Sequence, residues 1–220
     1  MNWKAIFFDL DGTLVETAPE IADAVNDTLQ HFDWPTVDQA EVDRWIGHGT
    51  RELLIMALAK VSDQSMDQVR QSALLSEALP IFDRYYQQRC GTRSQLYPYV
   101  RDTLRALRER GCRLAVVTNK EGRYTDTVLQ AHQLKGAFDL VISGDSFASK
   151  KPDPVGVLHG LRLWNVEKTH ALFVGDSSID AATARSAGIA VWLLPYGYNM
   201  GEPVTACQPD RVIANFSELR

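Results

Sequence analysis

The run Phe7-Phe8-Asp9-Leu10-Asp11-Gly12-Thr13-Leu14, FFDLDGTL, ends an apolar stretch on two carboxylates one residue apart and follows them with Gly and Thr. Carboxylates this close repel and raise each other's pKa unless something neutralises them. Either they form an ordinary solvated turn, or they share a cation and do chemistry. What precedes them bears on the choice: Ala5-Ile6-Phe7-Phe8 is short, continuous and apolar, the signature of a strand buried on both faces of a parallel sheet.

Four more runs read the same way: Leu114 to Val117, Asp139 to Ile142, Ala171 to Val174 and Ala190 to Leu194. Between and around them lie helical patterns over Val100 to Arg110, Tyr124 to His132, Pro154 to Trp164 and Ile179 to Ala187, with Gly111 and Gly188 where a helix stops before the next strand. The alternation predicts an α/β protein with a doubly wound, Rossmann-like parallel sheet. Residues 17–95 break that rhythm. Apolar positions there recur only at helical spacing (Ile21, Val25, Leu29; Leu53, Leu54, Ala57; Val69, Ala73, Phe82), and prolines interrupt the pattern near Thr17-Ala18-Pro19 and Leu96-Tyr97-Pro98. We therefore expect a core formed by residues 1–16 and 96–220, with an α-helical cap inserted over 17–95.

The totals narrow the class. A chain of 220 residues that is 45% hydrophobic and 23% charged folds as an ordinary globular protein. Its net charge of -5 argues against nucleic acid as a partner, since phosphate-backbone binding needs a basic surface. No apolar run approaches the roughly 18 residues of a membrane span, and the residues after Met1 lack a signal peptide's apolar region. Cys90, Cys112 and Cys207 are odd in number and widely spaced, as reduced thiols are. A soluble cytoplasmic protein, either a monomer or a small homo-oligomer, is expected, with no membrane or nucleic-acid partner.

In an open parallel sheet, ligands bind at the carboxyl ends of the strands. After the first strand come Asp9 and Asp11; after the second, Thr118-Asn119-Lys120; beyond the third, Lys150-Lys151-Pro152; after the fourth, Gly175-Asp176-Ser177-Ser178-Ile179-Asp180. Each piece alone has a plain explanation. Thr118-Asn119 would cap the next helix, a lysine before proline is usually on the surface, and Asp180 would complement a helix dipole. Order, spacing and strand-end placement agreeing together is harder to dismiss.

DLDGTL, VVTN, the second Lys of KKPDP and GDSSID, in that order, resemble the four motifs of the haloacid dehalogenase-like (HAD) hydrolase superfamily, and the helical insertion resembles its cap. Within the superfamily, WIGHGTRELL (Trp45 to Leu54) and YGYNMGEPV (Tyr196 to Val204) resemble the bacterial phosphoglycolate phosphatases. Glu16-Thr17 and Ser178-Ile179 depart from the usual Asp-Ser and Arg-Asn of that pattern without removing a carboxylate. The resemblance implies a phosphoric monoester hydrolase acting on a small phosphorylated substrate, 2-phosphoglycolate above all, with Mg²⁺ as cofactor. It implies that Asp9 and Asp176 hold the metal by side chain, and Asp11 by its backbone carbonyl, with Asp180 behind them.

The chemistry then distributes itself. Asp9 is expected as the nucleophile that takes up the phosphoryl group, and Asp11 as the acid for the leaving alkoxide and then the base for water. Residues two apart on an extended segment share a side, which accounts for the gap of one. Gly12 is expected to turn the chain so that its own N–H faces the phosphate. Thr118, Lys151 and the backbone amide of Asn119 are expected to bind phosphoryl oxygens. In the insertion, Gly47, His48, Gly49 and Arg51 are the expected specificity loop, either through Arg51 pairing with a substrate carboxylate or, more plainly, as a Gly-rich helix start with Arg51 in solvent.

Other readings use other residues. A dehalogenase needs no acid at position 11, and a phosphonatase would want a cap lysine, for which only Lys60 stands out, late on its helix. A sugar-phosphate phosphatase or a phosphomutase would use the same acids. A non-catalytic binding module is the reading from another class, and it expects loss of one of Asp9, Asp11, Thr118, Lys151 or Asp176; none is lost. No Walker A or GxGxxG occurs, and the five histidines show no zinc-like spacing. Tyr85-Tyr86 and the tryptophans read as packing.

Overall fold

The computed structural model describes residues 3–220. Six parallel strands form one sheet in the order β5-β4-β1-β6-β7-β8: β1 (Ala5–Phe8), β4 (Arg113–Val117), β5 (Leu140–Ile142), β6 (Ala171–Gly175), β7 (Ala190–Leu193) and β8 (Arg211–Val212). Five of these are the runs expected from sequence. The sixth, β8, is two residues long and exposed, too short and too polar to stand out.

Both faces of the sheet are covered, which is why its strands are continuously apolar. On one face Ile6, Phe8, Leu114, Val116, Leu172 and Val174 pack under α6 (Val100–Glu109) and α7 (Gly122–Ala131). On the other Phe7, Ala115, Val117 and Phe173 pack under α8 (Val155–Trp164) and α9 (Ser178–Ala187). Phe8 stacks on Phe216 at 5.9 Å between centroids, and Phe7 on Trp164 at 5.7 Å. The fold is the expected doubly wound α/β sheet with a helical insertion.

The insertion leaves and rejoins the core through a two-stranded antiparallel ribbon, β2 (Val15–Glu16) with β3 (Gln95–Leu96), in which Val15 faces Leu96. Between these strands lie α1 (Ala18–His31), α2 (Gln39–Trp45), α3 (Thr50–Ser62), α4 (Met66–Gln71) and α5 (Ala73–Arg89). Helices α1 and α5 pack along each other, with Ile21, Val25 and Leu29 in the same apolar core as Leu75, Ala78 and Phe82. The Arg89 guanidinium, at the end of α5, ties that pair together on both oxygens of Asp27, at 2.8 and 3.1 Å.

Strand register sets the height of everything at the carboxyl edge. Phe8 lies opposite Val116 on one side and Val174 on the other. Asp9, Thr118 and Asp176 therefore leave the sheet within two residues of the same level.

Helix α8 reaches the sheet because Gly160 has no side chain: a Cβ there would sit 2.7 Å from the fully buried Phe7 ring. Gly160→Ala sets a propensity gain of about 1 kcal/mol against overpacking of about 1–3 kcal/mol. A lower urea midpoint with unchanged slope is the expected result, and a raised midpoint would show that Phe7 yields freely.

Candidate active site

Asp9, the first residue past β1, is buried and receives the Lys151 ammonium at 2.8 Å. The same ammonium lies 2.7 Å from Asp180, so one lysine bridges two carboxylates. Asp180 is saturated: its other oxygen accepts the N–H groups of Asp176 and Ser177, both at 3.1 Å, and the Ser177 hydroxyl at 2.7 Å. With Ser177 it forms the capping box that starts α9. Asp180 thus sits both at the start of α9 and against Lys151.

Asp176 accepts the Thr13 hydroxyl and, at 2.5 Å, the backbone N–H of Tyr198, but no cation among the described residues. Carboxylate oxygens of Asp9, Asp176 and Asp180 lie within 4.8 Å of one another. Three carboxylates face one ammonium in a buried cluster. Burial pushes Asp9 up to about 7; Lys151 opposes the shift, and Asp180 and Asp11 add to it. Asp176 is driven up by burial and by the Asp180 and Asp9 charges, with only hydrogen bonds against it.

The donor chemistry suits a hard divalent cation, which takes carboxylate oxygens and would cancel the excess charge. Backbone packs tightly around the same carboxylate. A Cβ on Gly197 or on Gly12 would collide with Asp176 Oδ2. Gly12 also sits at φ 79°, a left-handed conformation that favours glycine. Its N–H, however, donates to the Val15 carbonyl at 2.9 Å, so the expectation that it faces the phosphate is corrected: the tight turn consumes it.

Asp11 has partners of its own. One of its oxygens accepts the Thr17 hydroxyl at 2.7 Å, and the Lys120 ammonium stands 3.0 and 3.2 Å from the two oxygens. Lys120 is itself buried, and its Nζ meets the Tyr86 hydroxyl of α5 at 2.5 Å. Burial would pull its pKa down, but Asp11 and further negative neighbours hold it above the ordinary lysine value. The sequence alone gives Lys120 no role, since a lysine in a strand-end turn is usually solvated. Its signal was position, directly after the Thr-Asn pair.

Thr118 and Asn119 follow β4 directly, both buried. The next helix starts later, at Gly122 with Glu121 before it and no side-chain cap, so Asn119 stands at a strand end rather than a helix start. The Asn119 side-chain NH₂ donates to the Lys151 carbonyl at 3.0 Å and to Gly47 of the insertion at 2.9 Å.

Two further bonds hold the same segment of the insertion over the core. The Lys150 ammonium donates to the His48 carbonyl at 2.6 Å, and the Thr50 hydroxyl to Glu121 at 2.7 Å. Gly47, Gly49 and Thr50 line the cavity above Asp9, together with Ile21, Ile46, Leu53 and Phe82. Arg51 is exposed and does not line it. One helical step of about 100° past Thr50 turns it outward. His48 meets the core through its carbonyl, and its side chain is not part of the lining either. Lys60 pairs with Glu41 at 2.7 Å on the insertion's surface. No helix among the described residues is long and apolar enough to cross a membrane.

The Haloacid dehalogenase-like hydrolase family model matches residues 6–194, which include every carboxylate of this site. A phosphoglycolate phosphatase of Vibrio vulnificus is 37% identical across 98% of this chain and 94% of its own length. One of Nitrosospira multiformis is 39% identical across 98% and 93%. A solved structure described as a predicted phosphoglycolate phosphatase of Haemophilus somnus superposes with a TM-score of 0.92 at 33% identity, covering 100% of this chain and 97% of that one. The chain belongs to the haloacid dehalogenase-like hydrolases.

Proposed function

We propose that this hydrolase is a Mg²⁺-dependent phosphomonoesterase that converts 2-phosphoglycolate to glycolate through an aspartyl-phosphate on Asp9. One observation carries the reaction type: a buried carboxylate beside an ammonium and a further acidic residue, with a second carboxylate two positions on and separately held. The names of the relatives and the small, mostly apolar enclosure carry the substrate.

Asp9 attacks phosphorus in line with the departing oxygen. Lys151 keeps the Asp9 carboxylate aimed and offers its remaining hydrogen to a phosphoryl oxygen; Thr118 supplies a hydroxyl and Asn119 a backbone amide to the others. Asp11, held at the Thr17 hydroxyl, gives its proton to the leaving alkoxide and afterwards takes one from the attacking water. Asp9 and Asp176 by side chain and Asp11 by carbonyl would hold Mg²⁺, while Asp180 fixes Lys151 and the turn at Asp176. Bound there, the ion supplies charge neutralisation for two anions brought together. The insertion, residues 17–95, acts as a cap that excludes water once the Gly47 to Thr50 segment is seated.

A sugar phosphate finds few partners for its hydroxyls among Ile21, Ile46, Leu53 and Phe82. A phosphate-release panel of 2-phosphoglycolate, hexose and pentose phosphates and nucleotides tests the choice. We expect 2-phosphoglycolate to lead in kcat/KM by about tenfold or more, the scale of one charge-assisted contact; equal rates for sugar phosphates would withdraw the named substrate.

Asp9→Asn should lower kcat by on the order of 10³ or more while leaving circular dichroism unchanged. Arg51→Ala should leave KM for 2-phosphoglycolate within about twofold, because the side chain is outside the cavity. A large rise in KM would mean that the α3 start rearranges on binding.

Metal linkage has a definite sign. Without a divalent cation the folded Asp9 titrates near 7 rather than 3.8, so the stability tied to its protonated form is present at low pH and is lost as pH rises through about 7. Mg²⁺ binds the ionised cluster, so the gain in Tm on adding it should be larger near pH 8 than near pH 6 and should shrink in Asp176→Asn. A gain independent of pH and of Asp176 would contradict the assigned ligands.

A further inference from the structure

We infer that Lys120 is the specificity residue of this site, its ammonium receiving the carboxylate of the substrate; the inference rests on the proposed reading of a carboxylate-bearing phosphomonoester. Lys151 already serves Asp9 and Asp180, so the second buried ammonium has another role. Burying a lysine costs several kcal/mol unless it is well paired. In the structure its acceptors are the Asp11 carboxylate and the Tyr86 hydroxyl.

The cavity wall leaves no other candidate. Among the described residues that line it, Lys120 is the sole cation, and the insertion contributes Ile21, Ile46, Leu53 and Phe82 with two hydroxyls, Thr50 and Tyr86, but no charge. An anionic group on the substrate's non-phosphate end must therefore find its counter-charge on the core side.

Connectivity places it there. Asp11 must face the oxygen that leaves phosphorus. In 2-phosphoglycolate a single carbon separates that oxygen from the carboxylate carbon. A cation 3.0 Å from Asp11 is thus within reach of a carboxylate tethered so closely to the atom Asp11 serves. Asp11 keeps the Thr17 hydroxyl when the ammonium turns to the substrate. Tyr86 belongs to α5 and holds the ammonium from the insertion side, with its ring centroid 4.9 Å away, so the carboxylate subsite is assembled from both parts of the fold.

The test compares two non-hydrolysable inhibitors of p-nitrophenyl phosphate turnover in the Mg²⁺-loaded full chain: 3-phosphonopropionate, which carries the carboxylate, and propylphosphonate, which lacks it. In the natural protein the first should bind about tenfold or more tighter than the second. In Lys120→Met that ratio should collapse towards one, whatever happens to kcat. Lys120→Gln carries the same expectation should the Met variant not fold, and Lys120→Arg should keep most of the discrimination.

A natural protein that does not discriminate, or a ratio that survives removal of the charge, overturns the inference. So does a fall in kcat with the ratio intact, which would leave Lys120 acting on Asp11 alone. The substrate name fails separately. If the ratio depends on Lys120 but 2-phosphoglycolate does not lead the substrate panel, the carboxylate subsite stands and the named substrate falls. If 2-phosphoglycolate leads and Lys120→Met keeps its preference, only the inference falls.

Discussion

The ammonium of Lys151 stands between Asp9 and Asp180 at 2.8 and 2.7 Å, the one cation among the described residues directly paired within a buried cluster of three carboxylates. Like charges at this separation in a dry site cannot all ionise unaided. Much of the surrounding structure serves to hold them there. The capping box of α9 immobilises Asp180, the Gly12 turn gives Asp176 room, and Tyr198 fixes Asp176 from behind while its own hydroxyl accepts the Ala18 N–H at the start of the insertion. The remaining imbalance is what makes a divalent cation the natural complement.

That arrangement also explains why the insertion matters to chemistry on the sheet. Asn119, Lys150 and Glu121, all core residues, bond to Gly47, His48 and Thr50 across the cavity. Removing water from such a site strengthens every charge interaction in it. Asp11 and the insertion share a joint as well, since Thr17, immediately before α1, is hydrogen-bonded to Asp11.

The sheet was legible in the sequence because burial on both faces leaves runs such as AIFF and ALFV with no polar interruption, and a strand of that kind looks like little else. The same reading located the carboxyl-edge residues, because position after a strand is a property of the chain itself. What escaped depends on direction rather than position. The Gly12 N–H was assigned to phosphate, but a turn this tight spends it on Val15. For Arg51 the sequence left cavity and solvent both open, and one helical step carries it outward; the cation that does line the cavity is Lys120, hidden among strand-end residues. The two-residue strands β2, β3 and β8 are too short for any periodicity to declare them.

The central claim is that Asp9, and no other carboxylate of the cluster, becomes covalently phosphorylated during turnover. Borohydride trapping after rapid acid quench, followed by peptide mass spectrometry, measures this directly, because reduction of an aspartyl-phosphate leaves homoserine in place of the aspartate. The account predicts homoserine at position 9 in protein quenched during turnover with Mg²⁺ and 2-phosphoglycolate, and none in protein without substrate. Homoserine at Asp11 or Asp176, or turnover with no trapped residue at all, would contradict it.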